Sequence, residues 1–239
     1  DVQILNNGYP MPAVGLGVYK IADEQMEEVV RTALDAGYRA FDTAYFYGNE
    51  KALGSALKHS NVERDELFIT SKLWNDYQGY DQTIEYFNKS LDNLGLDYLD
   101  LFLIHWPCEN DQLYIESYKA LEHLYEEGKI KAIGVCNFKI HHLEKLMKET
   151  KITPQVNQIE LHPYFNQQDV QDFCDEHDIK VTAWMPLMRN KGLLDDPVIT
   201  DIAHRYDKTP AQIVLRWHLA HNRIIIPKSQ TPKRIKENF

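Results

Sequence analysis

The sequence has few cysteines, no long apolar run and a deficit of positive charge. Its 239 residues include three cysteines, Cys108, Cys136 and Cys174, with no CxxC pair, which is a poor disulfide framework and fits a reducing compartment. No apolar segment approaches the roughly 18 residues that a membrane helix needs, and no signal-peptide pattern opens the chain. The formal net charge of −10 argues against nucleic acid and anionic membranes as partners. We therefore expect a cytoplasmic protein.

A glycine-rich phosphate loop is also missing. An open, doubly wound sheet that binds a dinucleotide needs such a loop directly after its first strand. The stretch "GLGVYK" at 15–20 has two glycines of a G-x-G-x-x-G motif and opens no helix. This absence argues against the doubly wound fold.

What is present is a regular alternation of strand-like and helix-like segments. The first helical segment, 23–37, has apolar residues on one face, Asp23 as its expected N-cap and Gly37 as its expected end. Eight short β-rich runs occupy 13–19, 38–44, 67–74, 99–106, 131–138, 155–161, 180–187 and 223–229. Further helices fit 81–95, a segment ending at Gly128, 140–149, 168–177, 198–206 and 210–220.

This order predicts one closed α/β barrel. Strand–helix alternation implies right-handed βαβ units and a parallel sheet, and eight strands close a (β/α)8 TIM barrel of about 250 residues. The opening stretch has Asn7-Gly8 at a turn, which predicts a β-hairpin at the barrel bottom. No linker or change in composition divides the chain, so we expect a single domain over 1–239.

Ionisable residues collect where the predicted strands end, which is where barrel enzymes carry their active sites. Asp42 ends the second strand with Tyr47 just beyond it, Lys72 ends the third, and His105 ends the fourth. Any one of them alone is most simply a structural ion pair, because charged groups are rarely buried without partners. Four on adjacent strand ends favour a catalytic cluster.

These four residues suit the donation of a proton to a carbonyl oxygen. Lys72 is expected to stabilise the phenolate of Tyr47 and lower the pKa of that phenol, and Asp42 to keep Lys72 charged. His105 is expected to donate a hydrogen bond that directs the substrate oxygen. No protein side chain supplies hydride, so a cofactor is required.

The last strand predicts an anion site. Lys228 and Ser229 stand at the strand end, Thr231-Pro232 begins a helix, and Arg234 lies in its first turn. Such a group fits a phosphate monoester. The alternative interpretation is an ordinary solvated basic turn.

Six blocks of sequence resemble the aldo-keto reductase family. In order they are "GYRAFDTAYFYGNEKALGSAL", "LFITSKLW", "LDLFLIHWP", "IGVCNF", "VNQIELHP" and "IPKSQTPKRIKENF", and the resemblance runs from near residue 5 to the end. Within the family, the short loop after His105 and the segment "WNDYQGYDQT" are similar to bacterial glyoxal/methylglyoxal reductases and to diketogluconate reductases.

The resemblance implies an enzyme that binds NADPH across the barrel top and reduces small aldehydes, ketoaldehydes or ketones. It implies Tyr47 as general acid, Lys72 and Asp42 as its tuning pair, and His105 as the carbonyl-orienting donor. Trp184 would stack on the nicotinamide, which Asn137 and Gln158 would also contact. The 2′-phosphate would be held by Lys228, Ser229 and Arg234. The implied cofactor contacts are Val18, Tyr19, Asp42, Cys136, Asn137, Gln158, Trp184, Pro186, Leu187, Lys228, Ser229, Arg234, Glu237 and Asn238; the implied substrate contacts are Tyr19, Tyr47, Trp74, His105 and Trp106.

The sequence departs from the family pattern at several places. Cys136 stands where Ser is usual, Trp184 where Tyr is common, and Met185 where Ser is common. Relatives continue past the position of Phe239 through a last helix and a tail that often shapes substrate choice. We expect that segment to be missing from this sequence.

Several alternatives remain open at this point. One is a diketogluconate-type sugar ketone reductase; others are a Schiff-base aldolase using Lys72 and a non-catalytic NADP-binding barrel. No metal site is expected, because the pair His141–His142 has no acid or cysteine at ligand spacing. The expected partner is a small carbonyl substrate, and the expected state is a monomer.

Overall fold

An antiparallel hairpin opens the chain. A computed structural model describes residues 1–187, 192–229 and 231–239. Strands β1 (Val2–Ile4) and β2 (Pro10–Pro12) pair antiparallel, with Ile4 opposite Pro10. Gly8 takes φ 87°, a left-handed conformation that glycine adopts at little cost, so the predicted turn is confirmed.

Within the described ranges, eight parallel strands follow, adjacent in chain order. Bridges between Val14 and Ile225 and between Gly17 and Lys228 join the first of these strands to the last, so the sheet curls into a barrel. This confirms the predicted (β/α)8 architecture. The strands are β3 (Leu16–Gly17), β4 (Ala40–Asp42), β5 (Phe68–Leu73), β6 (Leu99–Ile104), β7 (Ile130–Cys136), β8 (Val156–Glu160), β9 (Lys180–Trp184) and β10 (Ile224–Ile225).

Helices alternate with these strands and cover the outside of the barrel. The structure has α1 (Asp23–Ala36), α2 (Glu50–His59), α3 (Tyr80–Leu94), α4 (Asp111–Glu126), α5 (Ile140–Glu149), α6 (Gln168–Glu176), α7 (Pro197–Arg205), α8 (Pro210–Ala220) and α9 (Pro232–Asn238). Each strand ends on the same face of the barrel, because parallel strands share one direction.

Two details of the helix prediction were wrong or incomplete. Asp23 is the first residue of α1 rather than its N-cap, which is Ala22 and makes no side-chain cap bond. Helix α2 was not predicted, because its first residues follow an aromatic turn that reads as a loop and its centre contains Gly54. The predicted end of α1 at Gly37 is confirmed by its left-handed φ of 112°.

The core has an inner and an outer part. The outer part fills the space between strands and helices, and includes the predicted face of α1 with Met26 and Val30. The inner part lies inside the barrel, where Leu5 and Met11 of the hairpin segment pack against residues near strand starts such as Phe68 and Leu101. The hairpin therefore closes the barrel bottom and leaves the opposite face for chemistry.

Among the described helices, none combines the length and apolar character that a bilayer span requires.

Candidate active site

The four predicted catalytic side chains meet at the barrel mouth. Asp42 and Lys72 lie at the ends of β4 and β5, His105 directly follows β6, and Tyr47 lies in a short 3₁₀ turn over 45–47. Lys72 Nζ donates to Asp42 Oδ1, to the Thr43 carbonyl at 2.9 Å and to the Tyr47 hydroxyl oxygen at 3.3 Å. One ammonium group thus links the acid to the phenol.

Lys72 is a buried cation that the site keeps charged. Only 1% of the residue is exposed, and burial by itself lowers the pKa of an amine. The Asp42 carboxylate and the Tyr47 phenol outweigh burial and raise the pKa of Lys72 above its ordinary value. The ammonium therefore persists at neutral pH, as the sequence predicted.

Lys72 lowers the pKa of Tyr47 as predicted, but the net pKa of the phenol lies above its ordinary value. Burial raises the pKa of the phenol, Lys72 lowers it, and the Asp42 carboxylate raises it again. The net shift of the pKa is upward, because the free-energy cost of burying the phenolate exceeds the stabilisation that the Lys72 ammonium, 3.3 Å away, gives it. In the free protein Tyr47 is consequently a protonated donor over the whole neutral range.

His105 is a neutral imidazole. Burial, and then the nearby Lys72 charge, lower the pKa of His105 to about 3. Its ring stands edge-on to Tyr47 at 5.9 Å and to Trp74 at 5.4 Å between ring centroids. At neutral pH the side chain can donate one hydrogen bond and carries no positive charge.

Amide side chains form a second layer beside these groups. Gln158 Nε2 donates to Asp42 Oδ2 at 2.9 Å. This is the carboxylate oxygen to which Lys72 does not donate. Asn137 Nδ2 donates to the His105 carbonyl at 3.0 Å, and Trp184 Nε1 donates to Asn137 Oδ1 at 2.9 Å. The first bond ties β8 to the Asp42–Lys72 pair, and the other two tie together the ends of β6, β7 and β9.

A cavity of about 920 Å³ opens over this group and extends to the last helix. Most of the predicted contact residues line it. They are Tyr19, Asp42, Tyr47, Trp74, His105, Trp106, Cys136, Asn137, Gln158, Trp184, Pro186, Leu187, Lys228, Ser229, Arg234, Glu237 and Asn238.

Two predicted residues do not line the cavity wall. The Lys72 side chain lies behind Tyr47 and donates a hydrogen bond to the Tyr47 hydroxyl oxygen. Val18 is fully buried in the outer core, with its carbonyl accepting from Asn49 Nδ2 at 2.8 Å and its N–H donating to the Asp42 carbonyl. The side chain of Val18 therefore lies in the outer core, and its expected place along the cofactor or substrate edge stays a prediction.

The substrate end of the cavity has aromatic walls. Phe46 stacks on Trp74 with ring centroids 3.8 Å apart, and Tyr19 packs against Tyr47 at 4.9 Å. Trp106 completes this rim with 39% of its surface exposed. Phe46 is half exposed and belongs to the same rim.

The far end of the cavity is basic. Lys228 and Arg234 are exposed and line it, and they stand at the end of β10 and in α9. Ser229 lines it as well, but its hydroxyl oxygen accepts the Thr231 backbone N–H at 3.1 Å. The Ser229 hydroxyl is thus engaged by the residue that precedes α9.

Cys136 lies at the floor of the cavity and is almost completely buried. Burial raises the pKa of its thiol; Lys72 opposes the shift but does not cancel it. The thiol is therefore protonated at neutral pH and is a poor nucleophile.

Several lining residues were missed by sequence reasoning. Lys20 follows the predicted Tyr19, Leu194 and Asp195 come from the long connection after β9, and 209–211 form the start of α8. The signal for Lys20 and for the β9 connection was available, because every segment that follows a barrel strand borders the mouth.

A model of the aldo/keto reductase family matches residues 13–239. The chain belongs to the aldo/keto reductase family. It is similar to the glyoxal reductase of Bacillus subtilis (strain 168), with 49% identity over 239 residues, which are 100% of this chain and 86% of that protein. It is likewise similar to the methylglyoxal reductase DkgA of Escherichia coli (strain K12), with 49% identity over 98% of this chain and 85% of that protein.

A solved structure gives the same result for the fold of this aldo/keto reductase. A mutant of Gox0644 in complex with NADPH superposes with a TM-score of 0.95 at 44% identity, over 100% of this chain and 86% of that one. The family resemblance seen in the sequence is confirmed. The protein is therefore an oxidoreductase, and its reaction class is carbonyl reduction.

Proposed function

We propose that this aldo/keto reductase uses NADPH to reduce small aldehydes and ketoaldehydes of the glyoxal and methylglyoxal type. The observation that carries the proposal is the Tyr47 hydroxyl, which Lys72 holds at 3.3 Å on the wall of a cavity that also reaches Arg234. A proton donor and a basic binding end in one continuous cavity are what carbonyl reduction with a phosphorylated dinucleotide requires.

The residues around the cavity fit such a cofactor, which supplies hydride when bound. Trp184 offers a broad ring for stacking, and Asn137 and Gln158 bring amide groups to the same part of the wall. Lys228 and Arg234 offer exposed positive charge for a phosphate monoester.

Tyr47 provides the proton. Its pKa is raised by burial, so the hydroxyl is protonated and ready to donate to a carbonyl oxygen that gains charge. Once the proton has left, the phenolate lies 3.3 Å from the Lys72 ammonium, which stabilises the negative charge. Asp42 and the Thr43 carbonyl keep Lys72 in place and charged.

His105 orients the substrate. As a neutral imidazole it donates a hydrogen bond to the carbonyl oxygen without competing as a proton source. The aromatic rim of Tyr19, Phe46, Trp74 and Trp106 then favours small substrates that expose little charge. The similarity to a glyoxal reductase and to a methylglyoxal reductase supports the same substrate class.

A Schiff-base aldolase is less well supported. That chemistry needs a neutral lysine with a lowered pKa, whereas Asp42 and Tyr47 raise the pKa of Lys72. Lys72 is also buried behind Tyr47 and does not line the cavity.

The proposal is tested with a substrate panel and two cofactors. Purified protein is given methylglyoxal, glyoxal or a diketogluconate with either NADPH or NADH, and loss of reduced cofactor is followed. We expect the highest kcat/KM for methylglyoxal or glyoxal with NADPH. Turnover of the sugar acid alone would overturn the substrate class, and equal use of NADH would overturn the cofactor preference.

A further inference from the structure

We propose that Trp184 is a positioning residue whose indole N–H fixes the amide of Asn137 and, through it, the carbonyl of His105. The inference rests on the proposed function, because its consequence is for NADP(H) binding. It assigns Trp184 a role distinct from the ring contact that any large aromatic residue could make.

The orientation of the Asn137 amide follows from the chemistry of its two neighbours. An indole N–H can only donate a hydrogen bond and a backbone carbonyl can only accept one. Asn137 must therefore turn Oδ1 to Trp184 Nε1, at 2.9 Å, and Nδ2 to the His105 carbonyl, at 3.0 Å. A rotated amide would lose both bonds.

The backbone of Asn137 is held independently of its side chain. Its N–H donates to the Gln158 carbonyl at 2.9 Å, and its φ is 63°, a left-handed value that Asn tolerates better than most residues. Rotation of the side-chain amide is consequently the freedom that remains, and the Trp184 N–H restrains it together with the His105 carbonyl.

The fixed amide sets what the cavity offers to a ligand. Asn137 lines the cavity, and one N–H of its NH₂ group remains after the bond to His105. Trp184 thus makes Asn137 a donor toward the ligand, suited to an acceptor such as a carboxamide oxygen. Without the indole N–H, this orientation would rest on the bond to the His105 carbonyl alone, and the amide would be less firmly held.

The same chain of bonds connects three strand ends. Trp184 ends β9, Asn137 follows β7, and His105 follows β6. The carbonyl that Asn137 engages belongs to the residue expected to orient the substrate. A change at Trp184 would therefore reach the substrate-orienting residue through Asn137.

A double-mutant cycle separates the N–H from the ring. Trp184→Phe keeps an aromatic face and removes the donor, while Asn137→Gly removes the amide and tolerates the left-handed backbone. The dissociation constant of NADP⁺ is measured by titration for the wild type, both single variants and the double variant.

We expect Trp184→Phe to weaken NADP⁺ binding by about 3- to 10-fold in the wild-type background, which corresponds to the loss of about one hydrogen bond. In the Asn137→Gly background we expect the same change to weaken binding by less than about 2-fold. An equal loss in both backgrounds would overturn the proposal, because Trp184 would then act through its ring alone.

A second measurement needs no cofactor. The chain has four tryptophans, so the ¹H–¹⁵N spectrum of the free protein can show four indole N–H signals, and Trp184→Phe identifies the one from Trp184. We expect this signal to exchange slowly with water in the wild type and faster in Asn137→Gly. Unchanged exchange would contradict the hydrogen bond. If the wild type bound no NADP⁺, the proposed function would be wrong. The exchange rate of the Trp184 indole N–H would still show whether its hydrogen bond to Asn137 forms.

Discussion

At the scale of single residues, Lys72 shows why the four predicted groups could be found from sequence. A lysine inside an apolar strand is expensive to bury unless acceptors surround it, and the strand-end rule placed an acid and a phenol nearby. The structure gives it Asp42, the Thr43 carbonyl and Tyr47. The net pKa direction of Tyr47 was not predictable, because it depends on burial that only the three-dimensional structure sets.

The pKa values predict a broad pH profile for carbonyl reduction. Tyr47 must be protonated, and its pKa is raised above its usual value of about 10; His105 must be neutral, and its pKa is lowered to about 3. The rate of reduction at saturating substrate should stay constant from about pH 6 to about pH 9. An inflection near pH 6.5 that disappears in His105→Gln would contradict the neutral imidazole.

Arg234 predicts a cofactor preference. If its guanidinium binds a 2′-phosphate, Arg234→Ala should weaken NADPH binding by roughly 10- to 100-fold and leave NADH binding unchanged, the loss of about one charge-assisted bond. Direct titration measures both dissociation constants. Lys236→Ala is the matched control, because Lys236 is an exposed cation on the same helix that does not line the cavity. Equal losses for both cofactors would argue against a phosphate contact.

At the scale of elements, α2 shows where sequence periodicity fails. Helices with a clear apolar face, such as α5 and α8, were predicted with their observed bounds. Helix α2 was missed, although Leu53 and Leu57 are buried, because Gly54 interrupts it. Packing requires glycine at this position, because a Cβ on residue 54 would lie 2.3 Å from the Leu94 carbonyl oxygen at the end of α3.

Gly54→Ala should therefore destabilise the protein despite the higher helix propensity of alanine. The added methyl meets backbone that cannot easily move, so we expect the free energy of unfolding to fall by about 1–3 kcal/mol. Chemical denaturation measures the change. Ser55→Ala, an exposed position on the same helix, is the control and should have little effect. A stabilised Gly54→Ala variant would show that α2 and α3 can separate freely.

At the scale of the whole molecule, the order of strands and helices predicted the barrel, because consecutive parallel strands joined by helices leave few topologies. The cavity was less predictable as a whole. Its predicted part lies at strand ends, and its missed part includes 209–211 at the start of α8, which no strand pattern places. The single domain over 1–239 stays a prediction.

Buried histidine makes the stability of the whole barrel depend on pH. His218 is fully buried, contacts the Pro186 carbonyl at 3.1 Å and Arg223 Nη1 at 3.2 Å, and burial is the main cause that lowers its pKa to about 4. His218 is therefore protonated below about pH 6.5 in the unfolded chain, but only below about pH 4 in the folded chain.

Above about pH 6.5, His218 should thus give the free energy of unfolding no pH dependence. Between about pH 6.5 and pH 4, protonation of His218 in the unfolded chain should lower the free energy of unfolding by roughly 3 kcal/mol. His218→Gln, which can keep both hydrogen bonds, should reduce that slope in denaturant titrations across this range. His59→Gln, at an exposed side chain, should leave the slope unchanged. An identical slope in all three proteins would contradict a neutral, buried His218.

The central claim is that Tyr47 gives the proton in carbonyl reduction. The most direct measurement compares Tyr47→Phe with the wild type, using kcat for methylglyoxal reduction with NADPH and the dissociation constant of NADPH on the same preparations. The variant should lose about 10²- to 10⁴-fold in kcat, the usual contribution of a positioned acid, and should bind NADPH with nearly unchanged affinity. Near-normal kcat in Tyr47→Phe would contradict the account.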